Sequence, residues 1–224
     1  MNKKIKKIVK AYSGLLSYVF YFFMNNWTKG KRGNVFHRQN VFLNGFRLSF
    51  YGKGNEVVLG GAMPSFLKNC HIKIFGNNNK IVIESGVSAK NLTIYCADNN
   101  CRVLVREGTQ ISGNTELATM EGTKIEIGHD CLFSANITLR AGDSHSVVNV
   151  TTGERINPSK DIVIGDHVWI GNTVIVTKGT IIGSNSVVAT GSVVAGKIYP
   201  NNVALGGNPA KIIKENVNWS VDKI

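Results

Sequence analysis

A polar segment in the second half of the chain carries residue types suited to proton transfer. It begins after Leu139 with Arg-Ala-Gly-Asp-Ser-His-Ser-Val and ends at Pro158. His145 lies in it, with Asp143 two residues ahead. An imidazole can accept a proton near neutral pH, and a nearby carboxylate can fix the tautomer that leaves one ring nitrogen free. A general base on a loop is one interpretation, and ordinary solvent-exposed loop side chains are the other.

The sequence that must position this segment repeats every six residues. An aliphatic side chain recurs at Ile164, Ile170, Val176, Ile182, Val188 and Val194. This period fits neither a helix of 3.6 residues per turn nor an alternating strand. It fits short strands separated by tight corners, with the aliphatic side chains stacked inside a solenoid. Upstream pairs such as Ile72 and Ile74 repeat less regularly. The sequence therefore predicts an all-β parallel solenoid over residues 55–205, interrupted by a loop at 140–161.

The region before the solenoid is predicted to be a basic arm over residues 1–54. Residues 1–55 contain eleven Lys and Arg and no acidic residue, whereas the rest of the chain is nearly neutral. Apolar residues at Ile5, Ile8, Tyr12 and Val19 predict an amphipathic helix. The apolar run from 11 to 24 is shorter than the roughly 20 residues that span a bilayer. Residues 1–27 are therefore expected to lie on a membrane surface or to pack on a partner subunit.

Two further features concern location and metal binding. The basic start and apolar run resemble a secretory signal, but no small-residue cleavage site follows, which predicts a cytoplasmic protein, peripheral on the inner face of the membrane if the arm binds lipid. The four cysteines, Cys70, Cys96, Cys101 and Cys131, form no C-x-x-C pair and have no histidine at metal-ligand spacing. Buried, reduced thiols and no metal are expected.

Three motifs together resemble the hexapeptide-repeat acyltransferases, which include galactoside, maltose, sialic-acid and capsular polysaccharide O-acetyltransferases. They are Ile-Val-Ile-Gly-Asp-His-Val-Trp-Ile-Gly at 162–171, the six-residue phase after it, and Gly-Asn-Pro-Ala-Lys-Ile-Ile-Lys at 207–214. The similarity is strong over 125–216, weaker over 55–124 and absent in the arm. It implies a left-handed parallel β-helix, a short helical C-terminal tail within 206–224, a homotrimer with active sites between subunits, and acetyl-coenzyme A as donor.

The resemblance also assigns roles to individual residues. His145 becomes the general base, with Asp143 orienting its ring or binding the acceptor. Trp169 matches a tryptophan whose backbone amide faces the tetrahedral intermediate. Donor contacts are expected from Gly171, Asn172, Ala189, Thr190, Lys197, Lys211 and Lys214, with the lysines toward the phosphates. Acceptor contacts are expected from Asn114, Glu116 and Arg140.

The function predicted from these features is transfer of an acetyl group to a sugar hydroxyl of a surface glycan or its precursor. Transfer is expected to be direct, since neither Ser144 nor a cysteine lies in a nucleophile motif. One alternative is N-acetylation of a nucleotide-linked amino sugar. Another is a non-catalytic β-helix that acts as a scaffold or binds glycans. Nucleic-acid binding is not expected, because the aromatics of the arm follow one helix face instead of alternating with its cations.

Overall fold

The computed structural model describes residues 14–222, which form one short helix and a long β-solenoid. Helix α1 covers residues 14–23. The strands in chain order are β1 (Trp27–Lys29), β2 (Val35–Asn44), β3 (Arg47–Phe50), β4 (Glu56–Lys68), β5 (His71–Ile74), β6 (Lys80–Ile83), β7 (Ser88–Lys90), β8 (Leu92–Cys96), β9 (Arg102–Val105), β10 (Gln110–Ile111), β11 (Thr115–Thr119), β12 (Lys124–Ile127), β13 (Leu132–Phe133), β14 (Ile137–Arg140), β15 (Ile162–Ile164), β16 (Trp169–Ile170), β17 (Ile175–Thr177), β18 (Ile181–Ile182), β19 (Val187–Val188), β20 (Val193–Val194), β21 (Ile198–Tyr199), β22 (Val203–Gly207) and β23 (Ala210–Glu215).

The strands stack into the three faces of a prism. Face A contains β1, β3, β5, β8, β11, β14, β17 and β20. The remaining strands form one sheet that bends within β4, whose first half pairs with β6 and whose second half pairs with β7. Face B continues from β6 through β9, β12, β15, β18 and β21, and face C from β7 through β10, β13, β16, β19 and β22. The chain thus folds as the predicted left-handed parallel β-helix.

The six-residue repeat produces the core as expected. All six aliphatic residues from Ile164 to Val194 are buried. Their coil length is regular, because Ile175 pairs with Val193 eighteen residues further on. The earlier coils are longer, and His71 pairs with Thr93 twenty-two residues further on. Extra residues at the corners between faces therefore explain why the repeat is less regular upstream.

The solenoid begins earlier than residue 55, so the predicted boundary between arm and solenoid is wrong. β1 already pairs in parallel with β3, and β2 pairs with β4. Leu43, Phe46 and Leu48 are fully buried in the same core as the later coils. These first coils lack the six-residue signature because they are long, and Arg47 pairs with His71 twenty-four residues further on. Of the predicted arm helix, residues 14–23 are helical, and the part from Ile5 to Tyr12 lies outside the described residues.

The C-terminal segment is a strand and not the expected helix. β23 pairs antiparallel with β22, from Val203 with Glu215 to Gly207 with Ala210. This pairing satisfies the backbone hydrogen-bond groups along the last edge of face C, which a helix would leave exposed. After β23 the chain runs back along the molecule, where the indole Nε1 of Trp219 donates to the carbonyl oxygen of His167 at 2.7 Å.

The cysteines are buried and free, as predicted. Burial raises the pKa of the Cys96 thiol to about 12 and that of Cys131 to about 11. Both thiols are therefore protonated at neutral pH and unreactive. No group of three or more His, Cys, Asp or Glu side chains that could hold a metal ion occurs within residues 14–222.

A buried asparagine ladder joins the corner between faces A and B from coil to coil. The side-chain oxygen of Asn55 accepts hydrogen bonds from the backbone and side-chain nitrogens of Asn79, at 2.9 and 3.0 Å. The oxygen of Asn79 in turn accepts the backbone N–H of Cys101 at 2.7 Å. Both asparagines are buried, so the ladder satisfies backbone donors that water cannot reach.

Asn55→Ala should therefore destabilise the protein by about 2 kcal/mol, because it leaves buried donors of Asn79 without an acceptor. The matched control is Asn77→Ala at the same corner, where the exposed side chain of Asn77 accepts from Lys53 N. The control should cost less than about 1 kcal/mol, since water can replace an exposed partner. Urea unfolding of both variants measures the difference, and equal losses would show that the buried ladder has no special role.

Candidate active site

The predicted loop opens a groove at the corner between faces A and B. The chain leaves the solenoid after β14 and returns at β15, so that Thr138 pairs with Ile175 across the insertion. The groove has a volume of about 1070 Å³. His145 lines it from the loop, Ile175 and Lys178 from the next coil, and Gly196 from the coil after that. The His145 side chain is exposed to solvent.

Asp143 lies in the groove, but its observed contacts differ from the predicted one. Its Oδ2 accepts a hydrogen bond from Lys178 Nζ at 2.5 Å and another from Asn157 Nδ2 at 2.8 Å. These hydrogen bonds, first that of Lys178 and then that of Asn157, lower the pKa of the Asp143 carboxyl. Within the described part of the chain, no hydrogen bond joins Asp143 to the His145 ring. Asp143 therefore fixes the loop instead of the imidazole.

Sequence reasoning missed the residues that anchor the loop. Glu121, in the coil below, bridges Arg155 at 2.6 Å and accepts the backbone N–H of Ser159 at 3.0 Å. The hydrogen bond from Arg155 is the largest cause that lowers the pKa of Glu121 to about 2, so this carboxylate stays charged far into the acid range. Asn157 is buried between the Glu121–Arg155 ion pair and the groove. These residues belong to no sequence repeat. Their contacts are with other coils, so the local sequence does not reveal them.

Trp169 does not line the His145 groove in this chain. It begins β16 on face C, and its ring lies 6.1 Å from that of Trp219. Its backbone N–H donates to the carbonyl oxygen of Ser186 at 2.9 Å, within the parallel ladder. The geometry therefore does not support an oxyanion role for this amide, because its hydrogen is already used. The ring itself is 40% exposed and can contact a ligand.

Most of the predicted donor contacts share a second corner, between faces C and A. Gly171, Asn172, Ala189 and Thr190 stack there on consecutive coils, and the Gly171 N–H donates to Val188 O at 2.8 Å. A side chain at Gly171 would approach the backbone nitrogen of Thr190 to 2.8 Å, so only glycine fits this close contact. These four residues form what we call the small-residue corner.

The predicted lysine contacts are divided between the two corners. Lys211 and Lys214 lie on β23, opposite Gly206 and Ala204 of β22. Gly206 is close to Ala189, so this strand borders the small-residue corner. Lys197 instead follows Gly196 at the corner that holds the His145 groove. Lys197 is thus separated from the other two lysines.

The predicted acceptor residues also divide. Arg140 lines the groove, contacts Glu116 at 3.4 Å and donates to the Ser144 hydroxyl at 3.3 Å. Both charged residues also border a smaller adjoining pocket of about 460 Å³ on face A. Asn114 instead belongs to a row of corner asparagines, bonded to Asn91 at 3.0 Å and to Asn136 at 3.3 Å. With Glu116 it also borders a pocket of about 490 Å³.

Comparison with known proteins agrees with this architecture. Residues 161–196 match the family model described as bacterial transferase hexapeptide (six repeats). A polysialic acid O-acetyltransferase of Neisseria meningitidis is 38% identical over 177 residues, which cover 79% of this chain and 80% of the relative. A polysialic acid O-acetyltransferase of Escherichia coli O1:K1 is 44% identical over 124 residues, which cover 55% of this chain and 40% of that relative.

Solved structures extend the similarity to nearly the whole fold. The polysialic-acid-specific acetyltransferase NeuO superposes with a TM-score of 0.80 at 31% identity, covering 88% of each chain. The polysialic acid O-acetyltransferase OatWY superposes with a TM-score of 0.79 at 30% identity, covering 89% of this chain and 92% of that one. The chain therefore belongs to the hexapeptide-repeat acyltransferases and is an O-acetyltransferase.

Proposed function

We propose that this enzyme transfers the acetyl group of acetyl-coenzyme A to a hydroxyl of an anionic surface glycan, with His145 as general base. The observation that carries the proposal is the groove, in which His145 lies on a loop anchored by buried and charged residues. The relatives are named for polysialic acid, a polymer with one carboxylate per sugar. A sialic acid polymer, or a chemically similar capsular or lipopolysaccharide chain, is thus the proposed acceptor class.

The proposed chemistry balances without a covalent enzyme intermediate. The acceptor oxygen attacks the thioester carbonyl while a ring nitrogen of His145 takes the hydroxyl proton. A carbon–oxygen bond forms, the carbon–sulfur bond breaks, and the leaving thiolate receives that proton to give free coenzyme A. Arg140 at the groove is a suitable partner for an acceptor carboxylate, because guanidinium binds carboxylates with two parallel hydrogen bonds.

The small-residue corner supports the proposed donor site. At this corner the small residues leave the backbone accessible to a narrow ligand, and Lys211 and Lys214 lie beside it. Such a surface suits a pantetheine arm that ends in phosphates. When bound there, the thioester supplies the activated acetyl group. The chain's own contribution is to hold the arm along the corner and to bring its end toward a histidine.

His145→Ala should lower kcat by about 10²- to 10⁴-fold, because the acceptor hydroxyl loses its general base. The assay is release of free thiol from acetyl-coenzyme A in the presence of sialic acid polymers, neutral glycans or nucleotide-linked amino sugars. The control is His129→Ala, which removes an exposed imidazole at a different corner.

Other outcomes of this assay separate the alternatives. Equal thiol release by wild type and His145→Ala would contradict the general-base assignment. Release with amino sugars alone would replace O-acetylation by N-acetylation as the activity of this chain. Absence of acetyl-coenzyme A binding by the wild type would favour a scaffold or glycan-binding protein.

We also propose that a homotrimer completes the active site. Within one chain, His145 lies at the corner between faces A and B, whereas Trp169 and the small-residue corner lie on and beside face C. A rigid solenoid cannot bend to bring these surfaces together. A neighbouring subunit that presents its face C to the groove would join the donor corner of one chain to the base of another.

We expect the exposed Trp169 ring to line the completed site, so that His145→Ala and Trp169→Ala are each inactive alone, and mixed assembly of the two variants tests this arrangement. His145→Ala and Trp169→Ala subunits, unfolded and refolded together, should recover up to about a quarter of wild-type activity, the random frequency of interfaces with both native residues. His145→Ala refolded alone is the control. Activity no higher than the sum of the separate variants would place both residues in the same chain's site, and an active Trp169→Ala would remove that residue from it.

The N-terminal helix is proposed to bind the inner, anionic face of a membrane, and the protein is proposed to be a peripheral enzyme of the cytoplasm. Phe20 packs on Phe42 at 5.7 Å, which fixes one side of α1 to the solenoid. Leu15, Phe22 and Phe23 of the same helix are exposed, the phenylalanines at 69% and 81%. Among the described residues, no helix is long and apolar enough to span a membrane. Exposed aromatics beside a sequence rich in Lys suit insertion into the headgroup region.

Substitution of both phenylalanines, Phe22→Ser with Phe23→Ser, should reduce flotation with phosphatidylglycerol liposomes by roughly tenfold or more, because the helix loses most of its insertable apolar area. The matched control replaces two exposed apolar residues elsewhere, Val150→Ser with Ile198→Ser, at 98% and 76% exposure. Equal flotation of both variants and wild type, or none by wild type, would contradict membrane binding through α1.

A further inference from the structure

The loop that carries His145 is long and largely exposed, yet the transfer reaction needs its base at a fixed position. Residues 143–150 are exposed, and the short antiparallel bridge between Val148 and Arg155 lies beyond the histidine. A general base that moves by about 1 Å can lose on the order of 100-fold in rate. Some interaction must therefore hold the loop backbone at His145.

Asn157 makes that interaction. Its side-chain Nδ2 donates to the carbonyl oxygen of His145 at 2.9 Å and to Asp143 Oδ2 at 2.8 Å. Its Oδ1 accepts the backbone N–H of Val147 at 2.7 Å. The single carboxamide of Asn157 therefore hydrogen-bonds to Asp143, His145 and Val147 of the loop. Asn157 is only 9% exposed, which shields these hydrogen bonds from water.

Asn157 is itself held from two sides. Lys178, from the next coil, donates to the backbone carbonyl oxygen of Asn157 at 2.9 Å and to the carboxylate of Asp143. Arg155 donates to the side-chain oxygen and to the carbonyl oxygen of Asn157, both at 3.2 Å, and forms an ion pair with Glu121 of the coil below. Asn157 is thus fixed between two coils of the rigid solenoid.

We infer that Asn157 is a positioning residue for acetyl transfer, which fixes the backbone of residues 143–147 and so places the His145 imidazole in the groove. Asn157 acts through the loop and does not touch the reacting atoms. Its donor group is essential to this role, because the two contacts that reach Asp143 and His145 both use Nδ2. The inference rests on the proposed role of His145 as base.

Asn157→Asp tests the donor group with almost no change in volume. The aspartate keeps an acceptor for Val147 but loses both Nδ2 donors and brings a second carboxylate beside Asp143. We expect kcat to fall about 10- to 100-fold while KM for acetyl-coenzyme A stays within about twofold, since the donor corner is untouched. The matched control is Asn149→Asp in the same loop, whose oxygen accepts from Thr151 at 2.8 Å. The control should retain wild-type kcat.

Hydrogen exchange gives a second readout that does not depend on activity. Although the aspartate in Asn157→Asp still offers an acceptor to Val147, loss of the hydrogen bonds to Asp143 and His145 lets the loop open more often, so amide exchange of the peptide that contains Val147 should accelerate at least about tenfold while core strands keep their protection. Lys178→Met, which removes the ammonium that fixes Asn157 and Asp143, should shift kcat and exchange in the same direction. This variant decides the question if Asn157→Asp fails to fold.

Several outcomes would overturn the inference. They are unchanged kcat in the folded Asn157→Asp variant, an equal loss in Asn149→Asp, or a loss of kcat without faster exchange around Val147. If wild type transfers no acetyl group to any acceptor, the proposed function fails. The exchange data then still show whether Asn157 fixes the loop.

Discussion

Parallel stacking of one coil on the next is the constraint on which every other feature depends. Each coil hydrogen-bonds its neighbours along all three faces and buries an aliphatic column between them. Residues far apart in sequence are thereby placed at a fixed strand spacing of about 4.8 Å. Glu121 and Lys178 reach the same loop from opposite sides for this reason, although 57 positions separate them. Because the scaffold is rigid, these two residues hold the loop at the groove in a fixed position.

Charged side chains have different roles along the solenoid and at the loop. Along the solenoid, outward pairs such as Lys80 with Glu56 are exposed and contribute little to stability. At the groove, Asp143 and Glu121 have lowered pKa values because each accepts several hydrogen bonds, the strongest from Lys178 and Arg155 respectively. Both carboxylates are thus committed to holding the loop. His145 and Arg140 line the groove that this loop encloses.

The sequence predicts the features that depend on neighbouring residues along the chain. It does not predict those that depend on contacts between coils. The six-residue repeat from Ile164 to Val194 gives the core directly, since each aliphatic position has the same environment. The loop with His145 is visible as a break in that repeat. The first coils do not stand out from the arm in the sequence, because Leu43 and Leu48 belong to longer turns without a fixed period. The resemblance implies a helical tail, and the sequence of Ala210–Glu215 has no alternation that would reveal its pairing with β22.

The antiparallel β23 has a consequence for the ends of the solenoid. A stack of parallel coils has no intrinsic length, since each terminal edge offers the same hydrogen bonds to a further coil, including one from another molecule. β23 occupies the last edge of face C with a strand of opposite direction, and the terminal strands β20 and β21 of the other faces have two residues each. At the other end, α1 packs against β2. Both ends of the stack are in this way closed to the edge-to-edge pairing that would extend it into a fibre.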